Sequence, residues 1–413
     1  MKRVDLTPEQ AAEAFKQYGS RRAAAQALDV PRTTFKRRLR ESGFQTEKIE
    51  ETEEHKLELH RLQERNRDLL RELKTARTER LTDQEVRREI FELRDTPPQL
   101  PDWLIAPPKA SHGTIGVPTL NLSDSHWGEE VKPEQVFYLN KYNQRIAGER
   151  LHRVTERTVD LLLHHMVNPS YPGIVCSLSG DMLSGDIHDE LAQTNEKPLM
   201  AAFTDIQDHL TWTLSTLADH FGRVFVPCVT GNHGRNTRKP RFKDRNLTNF
   251  DWLLYTQLER WFRDDPRIQF RIATGMDLHY RIYNHRYRLT HGDAFRGGEG
   301  FVGMHAPVIR GEIKKRKAAA SYNKSYDTLS MGHFHQCTTL KSLIVNGSLK
   351  GYDEYAIGKD LDYEPPKQAL WMTHPQRGIT VTMPVQADKD MMQVSDDNSA
   401  WVSWEAEMEA AHE

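Results

Sequence analysis

Five times between residues 115 and 335 a short apolar run gives way to Asp, Asn or His, in four cases directly beside a glycine. Asp124-Ser125-His126 follows the run 115–122, and Gly180-Asp181 follows 174–178. Gly231-Asn232-His233 follows 224–229, His291-Gly292-Asp293 follows 287–290, and Gly332-His333-Phe334-His335 follows 327–330. Runs of this length bounded by turn residues read as strands. Further strands are expected at 268–272, 279–283, 342–346 and 378–385, with amphipathic helices at 141–166, 199–221 and 250–263 and a basic helix-like stretch at 304–317. Strands alternating with helices predict a layered α/β domain over residues 114–385. In such domains polar chemistry collects at the carboxyl ends of the strands, where all five clusters lie.

The residue types point to a metal reaction. Phosphoester hydrolysis is slow because hydroxide must approach an anion. Two divalent cations side by side can neutralise the phosphate, generate hydroxide and hold both the attacking and the leaving oxygens. Such a pair needs one bridging carboxylate, and mixed imidazole and oxygen donors suit Mn, Fe or Zn better than Mg or Ca. Taken singly, Asp-x-His or Gly-Asp occurs by chance, and a lone histidine is usually structural. The order of all five is what carries the signal.

That order, DxH, GD, GNH, a lone His and GHxH, resembles the calcineurin-like metallophosphoesterase superfamily over residues 114 to 350. The resemblance implies a β-sandwich flanked by helices and two divalent metal ions, Mn2+ first among them. By this resemblance Asp124, His126 and His335 hold one metal, Asp181 bridges, and Asn232, His291 and His333 hold the other. It gives His233 the role of general acid, protonating the leaving oxygen while a hydroxide between the metals attacks in line. Two features depart from the pattern. Gly234 stands where an acidic residue often follows GNH, and Gly185-Asp186 repeats the Gly-Asp motif, leaving Asp186 and His188 as alternatives or neighbours to Asp181. The runs Asp124-Ser125-His126-Trp127-Gly128 and Gly180-Asp181-Met182-Leu183 are more similar to the Mre11/SbcD-type nuclease branch than to Ser/Thr phosphatases. The whole arrangement resembles phage-encoded phosphoesterases.

Upstream, residues 1–45 hold ten basic against five acidic side chains. Three short helices are expected, at 8–18, 21–28 and 32–41, with Ala11, Ala14, Phe15 and Tyr18 inward on the first and Phe35 and Leu39 inward on the third. The outward face of the third carries Arg32, Thr33, Lys36, Arg37 and Arg40, side chains that reach phosphates and base edges in a major groove. The run from Gly19 to Leu28 and on to Thr34-Phe35-Lys36-Arg37-Arg38-Leu39-Arg40 resembles the Fis-like and resolvase-like helix-turn-helix family, with Asp29 at a turn where that family often has Gly. The resemblance implies DNA as partner. A three-helix protein-protein module is the plainer alternative. Residues 46–95 lack Gly and Pro, are dominated by Glu, Arg, Lys and Leu, and are expected to form a charged helix, either a solvated spacer or a short homodimeric coiled coil through residues 55–76 with Asn66 in its seam. Residues 96–113, with five prolines, read as a stiff linker.

Net charge is −2 and mean hydropathy −0.72, but the charge is segregated. The stretch 235–245 holds six basic residues and one acid, and residues 386–413 hold eight acids and one lysine, an acidic tail expected to be disordered. No run has the length of a membrane span. The N-terminus lacks the apolar core of a signal peptide, and Cys176, Cys228 and Cys337 are too scattered for a disulfide framework, so a cytoplasmic protein is expected. Three functions remain open: a DNA nuclease with Arg235, Arg238, Lys239 and Arg241 beside the metals, a small-molecule or cyclic-nucleotide phosphoesterase localised by its DNA-binding domain, and a regulator on a degenerate scaffold. The intact set of metal-binding residue types argues against the third, and the placement of positive charge favours the first.

Overall fold

The computed structural model describes residues 6–44, 64–65, 100–106, 116–187, 189–295 and 305–389. The chain forms two units, divided after Leu93. Apart from Glu64 and Arg65, the expected charged helix at 46–95 with its seam at 55–76 lies outside the described residues, as does the tail from 390 on.

Over residues 6–44 the first unit forms three helices. α1 (Pro8–Tyr18) opens on a capping box in which Thr7 Oγ1 accepts from the Gln10 amide and the Gln10 side chain accepts from the Thr7 amide. Ser20 caps α2 (Arg21–Ala27), and the turn to α3 (Arg32–Glu41) is made with Asp29 at φ 50°, a left-handed conformation that Asp tolerates. Ala11, Ala14, Ala24, Ala25, Phe35 and Leu39 pack together as the core. Tyr18, expected inward, is 45% exposed in the last turn of α1, where the chain leaves through Gly19. Arg32, Thr33, Lys36, Arg37 and Arg40 all face solvent along α3.

The second unit is two sheets with helices outside them. Short α4 (Asp102–Ile105) leads into β1 (Val117–Leu122), α5 (Gln144–His164), β2 (Ile174–Leu178), α6 (Asp189–Thr194), α7 (Leu199–Phe221), β3 (Val224–Cys228), α8 (Phe250–Trp261) and β4 (Ile268–Ile272). Then come β5 (Asp277–Ile282), β6 (His285–Thr290), α9 (His305–Ser321), β7 (Thr328–Met331), β8 (Thr338–Leu340), β9 (Leu343–Val345), α10 (Glu354–Gly358), β10 (Lys367–His374) and β11 (Gly378–Gln386). One sheet runs β11-β10-β1-β2-β3-β4, parallel from β1 to β4, and the other β5-β6-β7-β9-β8. Strands β1, β2 and β3 are buried along their whole length, which explains their nearly continuous apolar runs.

The core lies between the sheets. Val117, Val175, Phe225 and Trp371 from one meet Tyr280, Ile282, Tyr287, Leu289 and Ile344 from the other. Trp371 Nε1 donates to Tyr287 Oη at 3.2 Å, so the largest side chain in this core leaves no polar atom unsatisfied. α5 and α7 pack on each other and on the outer face of the first sheet, α8 packs on α7 and β4, and α9 covers β7 and β9. The expected mixed α/β architecture with flanking helices is therefore what forms.

Two expected boundaries move. The proline-rich stretch contributes Trp103 and Leu104 to the sheet-sheet core, and the Leu104 carbonyl accepts from the Tyr283 amide, so residues 100–106 are part of the large unit rather than linker. Two buried apolar side chains outweigh the stiffness of the prolines around them. At the other end the unit runs past residue 385: Gln386 ends β11, Ala387 is buried, and Asp388 accepts from Arg150 Nε at 2.8 Å.

Candidate metal centre

The five motifs meet at the carboxyl ends of both sheets. Asp124 and His126 follow β1, Asp181 follows β2, and Asn232 and His233 follow β3. His291 follows β6, while His333 and His335 follow β7. Ligand atoms of Asp124, His126 and His335 lie within 4.8 Å of one another, and so do those of Asp181, His291 and His333. Asn232 Oδ1 joins the second group, 3.1 Å from His291 Nε2. All seven expected metal ligands are thus brought together. His233 is close as well: an imidazole nitrogen of His233 falls within 4.8 Å of His126 and Asp181. Asp186 is exposed and outside these groups, and His188 lies outside the described residues.

Backbone strain is concentrated here. Asp124, His126, Asp181, His333 and His335 all have positive φ, between 46° and 74°. Left-handed conformations at non-glycine residues persist only where the surroundings enforce them, and they gather at functional sites. The glycines of the motifs serve close approach. A Cβ on Gly231 would overlap Asp181 Oδ1, and one on Gly332 would overlap Asp124 Oδ2.

The donors face one another in a way that calls for a cation. His291 Nδ1 lies 2.8 Å from the Ser179 carbonyl, which fixes the proton on that nitrogen. Its Nε2 then faces Asp181 Oδ2 at 2.9 Å and Asn232 Oδ1 at 3.1 Å, both acceptors. Across the centre His126 Nε2 faces His335 Nε2 at 3.1 Å, with Asp124 Oδ1 3.5 Å from the latter. Lone pairs converging in a buried place need positive charge between them. The titration directions agree. Burial pushes His291 down, but the charge of Asp181 and the hydrogen bond to it more than offset this and hold its pKa well above the usual value. Burial pushes Asp181 up, yet His291, His233 and His126 hold it well below the carboxylate range. Burial, with Lys350, His233 and His335, holds His126 neutral, and burial with His291 lowers His333 to about 4. His126 and His333 are thus neutral and Asp181 ionised, the states that bind divalent metals, while His291 without metal is a protonated partner of Asp181 whose proton a cation would displace. The residues present fit a pair of such ions.

The carboxylate missing after GNH has two substitutes. His233 Nδ1 lies 3.1 Å from the Ser184 carbonyl, so a backbone oxygen orients the imidazole, and its own amide donates to Asp181 Oδ1 at 2.7 Å. Asn249 Oδ1 and, behind it, buried Asp251 in the first turn of α8 occupy the space a side chain at Gly234 would need. The Asp251 carboxylate accepts from the amides of Asp181 (3.0 Å), Gly231 (2.9 Å) and Met182 (3.2 Å), clamping two motif loops together. Burial and the neighbouring Asp181 push its carboxyl up to about 6.

On the other side Glu129 accepts from Ser184 Oγ at 3.1 Å and from Lys350 Nζ at 2.8 Å, and Glu129 Oε2 lies 3.6 Å from His126 Nδ1. Burial pulls Lys350 down, but Asp353 and Glu129 outweigh it and keep the ammonium charged. Beneath the centre a buried network joins the sheets: Asn346 Nδ2 donates to the Asn121 carbonyl, Ser123 Oγ and Gln368 Oε1. Sequence reasoning singled out none of Glu129, Asp251, Lys350 or Asn346. Asp251 reads as an ordinary acidic residue in a first helical turn.

The basic residues also divide. Arg235 is half-buried next to Asn232, whereas Arg238, Lys239 and Arg241 are exposed on the loop beyond it. Arg245, at the end of that loop, makes a two-pronged contact with Asp293 at 2.7 and 3.1 Å, anchoring the loop to the His291 motif.

Neither a protein-family model nor a curated protein sequence matches the chain. Among solved structures it is similar to a Vps29 single mutant from Entamoeba histolytica, at 13% identity over 65% of this chain and 99% of that one, with TM-score 0.27. It is also similar to a Streptococcus pneumoniae protein described as a predicted phosphoesterase, at 11% identity over 66% and 99% of the two chains and TM-score 0.26. A dimetal phosphatase from Danio rerio gives 10% identity, 66% and 99% coverage and TM-score 0.29. What this site can do follows from its own side chains. Among the described residues no helix is long and apolar enough to cross a membrane.

Proposed function

We propose that the large unit is a dinuclear metal-dependent phosphodiesterase acting on DNA, and that the three-helix unit is a helix-turn-helix that positions it there. The observation that carries the reading is the convergence of seven acceptor side chains from five strand ends, with His291 Nε2 facing the oxygens of Asp181 and Asn232. One ion would be held by Asp124, His126 and His335, the other by Asn232, His291 and His333, with Asp181 shared. Bound there, two divalent cations supply charge for the phosphate and activate a water.

The chain's own groups do the rest. His233 has Nδ1 fixed on the Ser184 carbonyl, so Nε2 is the nitrogen free to serve the leaving oxygen; it donates there as the imidazolium, a form that burial opposes and that Asp181 and Glu129 favour. The exposed cations Arg238, Lys239 and Arg241, with Arg310, Lys314 and Lys317 on α9, suit a polyanion. The exposed face of α3, with Arg32, Thr33, Lys36, Arg37 and Arg40, supports duplex binding by the first unit.

The test is hydrolysis by the full Mn2+-loaded chain of single- and double-stranded DNA, cyclic dinucleotides and bis-p-nitrophenyl phosphate. DNA cleavage and diester hydrolysis should both vanish in EDTA and in Asp181→Asn, a substitution that tolerates the left-handed backbone. Turnover that survives EDTA overturns the metal reading. Hydrolysis of the small diesters without DNA cleavage overturns the nuclease and leaves a small-molecule phosphodiesterase.

A further inference from the structure

Most arginines that reach into the large unit are neutralised. Arg150 meets Asp388, Arg245 meets Asp293, Arg288 meets Asp277 and Arg316 meets Glu312. Half-buried Arg153 pairs with no carboxylate among the described residues either, its Nη1 donating to the Ala387 carbonyl, but Arg235 stands beside the metal-binding motif. It lies three residues after Asn232 on the same loop, half-buried, and among the described residues no carboxylate pairs with it. Two neutral backbone carbonyls hold it instead: Nη1 donates to Asn232 O at 2.7 Å and Nε to Thr237 O at 3.1 Å. Its backbone is fixed too, by a bridge to Asn249, whose side chain caps α8 and donates to the Gly231 carbonyl.

A guanidinium has five N–H donors. Two of them here are used for positioning and three are left. Asp293 is already engaged by Arg245, so it does not collapse onto Arg235. The result is an immobilised, unneutralised planar cation on the loop that carries Asn232 and His233. A flexible surface lysine would solvate its charge, whereas a fixed fork matches two oxygens of a phosphate.

We propose that Arg235 is a catalytic residue that grips a non-bridging oxygen of the phosphoryl group at the metal centre, distinct from the loop cations Arg238, Lys239 and Arg241 that contact the rest of a polyanion. This rests on the phosphodiesterase reading for its turnover but not for its anion. A preorganised donor aimed at developing phosphoryl charge acts mainly on kcat, by about 100- to 1,000-fold when removed.

The experiment compares wild type, Arg235→Ala, Arg235→Lys and Arg263→Ala as full Mn2+-loaded chains. Inorganic phosphate binding is measured by calorimetry, metal content by atomic emission, and kcat on bis-p-nitrophenyl phosphate with and without added guanidinium. Arg235→Ala should keep its two metals, bind phosphate at least about tenfold more weakly, and lose kcat in a way that guanidinium partly restores. Arg235→Lys should fall between, and Arg263→Ala, at an exposed arginine beside Asp264, should match wild type on both small probes. Phosphate affinity in Arg235→Ala equal to wild type overturns the assignment, as does a wild type that binds no phosphate at millimolar concentration. A wild type that binds phosphate through Arg235 yet hydrolyses no ester supports the anion site and sinks the phosphodiesterase.

Discussion

Replacing Asp251 by Asn should flatten the pH dependence of stability of the metal-free chain. The Asp251 carboxyl is buried and stands at about 6 against an ordinary 3.8, with burial the larger cause and Asp181 the next. A carboxyl whose pKa is higher folded than unfolded favours the fold fully below its unfolded value, and that advantage is lost as pH rises through the folded value. A shift of roughly two units, at about 1.4 kcal/mol each, gives about 3 kcal/mol lost between about pH 4 and pH 7. Asn carries no charge, so the variant should lack this loss, though its amide can no longer accept from all three amides and costs about 1–3 kcal/mol at low pH. Urea melts of EDTA-treated wild type and Asp251→Asn at half-unit pH steps give the difference curve directly. Wild type should be the more stable at pH 4 and lose that lead by pH 7. Loading with Mn2+ should shrink the slope, because cations on Asp181 remove its repulsion. Parallel curves for the two proteins across this range would refute the reasoning.

Gly231→Ala should lose Mn2+ binding because its Cβ overlaps Asp181 Oδ1, while Gly275→Ala, which meets nothing within 4 Å, should bind as wild type does; metal titration of both variants decides it. His233→Ala should retain two metals and lose turnover of esters with poor leaving groups far more than of p-nitrophenyl esters, which need little protonation. Equal losses on both kinds of substrate would remove His233 from the role of proton donor. Reversing charge on α3 with Lys36→Glu and Arg37→Glu in the full chain should weaken duplex binding and lower its salt dependence by about one unit of slope per lost phosphate contact, read by fluorescence anisotropy. Unchanged affinity and slope would return that unit to a protein-binding role.

What could be read from the sequence was what is local. Asp181 and His291 each stand directly at a strand end, so a few consecutive residues carried both the strand and the ligand. β10 was missed because Gln368–Met372 is buried on both faces between β1 and β11 and so shows no alternation, and prolines flank it. Asp251 was missed for a different reason. Its partners, Asp181 and Met182, are about seventy residues away, and its own neighbourhood looks like an ordinary helix start. Gly234 did announce that a carboxylate was absent, but only the fold shows Asn249 and Asp251 filling that space. Proline spacing misled at 96–113, since it describes the chain's stiffness and says nothing about where Trp103 docks.

The candidate ligands are shared between the layers: Asp124, His126, Asp181 and Asn232 end strands of one sheet, and His291, His333 and His335 end strands of the other. A chain in which only one layer had formed would hold only part of the donor set, and no complete pair of sites. Metal capture would then come late in folding and act as a clasp across some two hundred residues of sequence, closing the loop much as a long-range disulfide does. A half-assembled molecule would carry no complete metal centre at all, and the last contact to form would be the one that completes it.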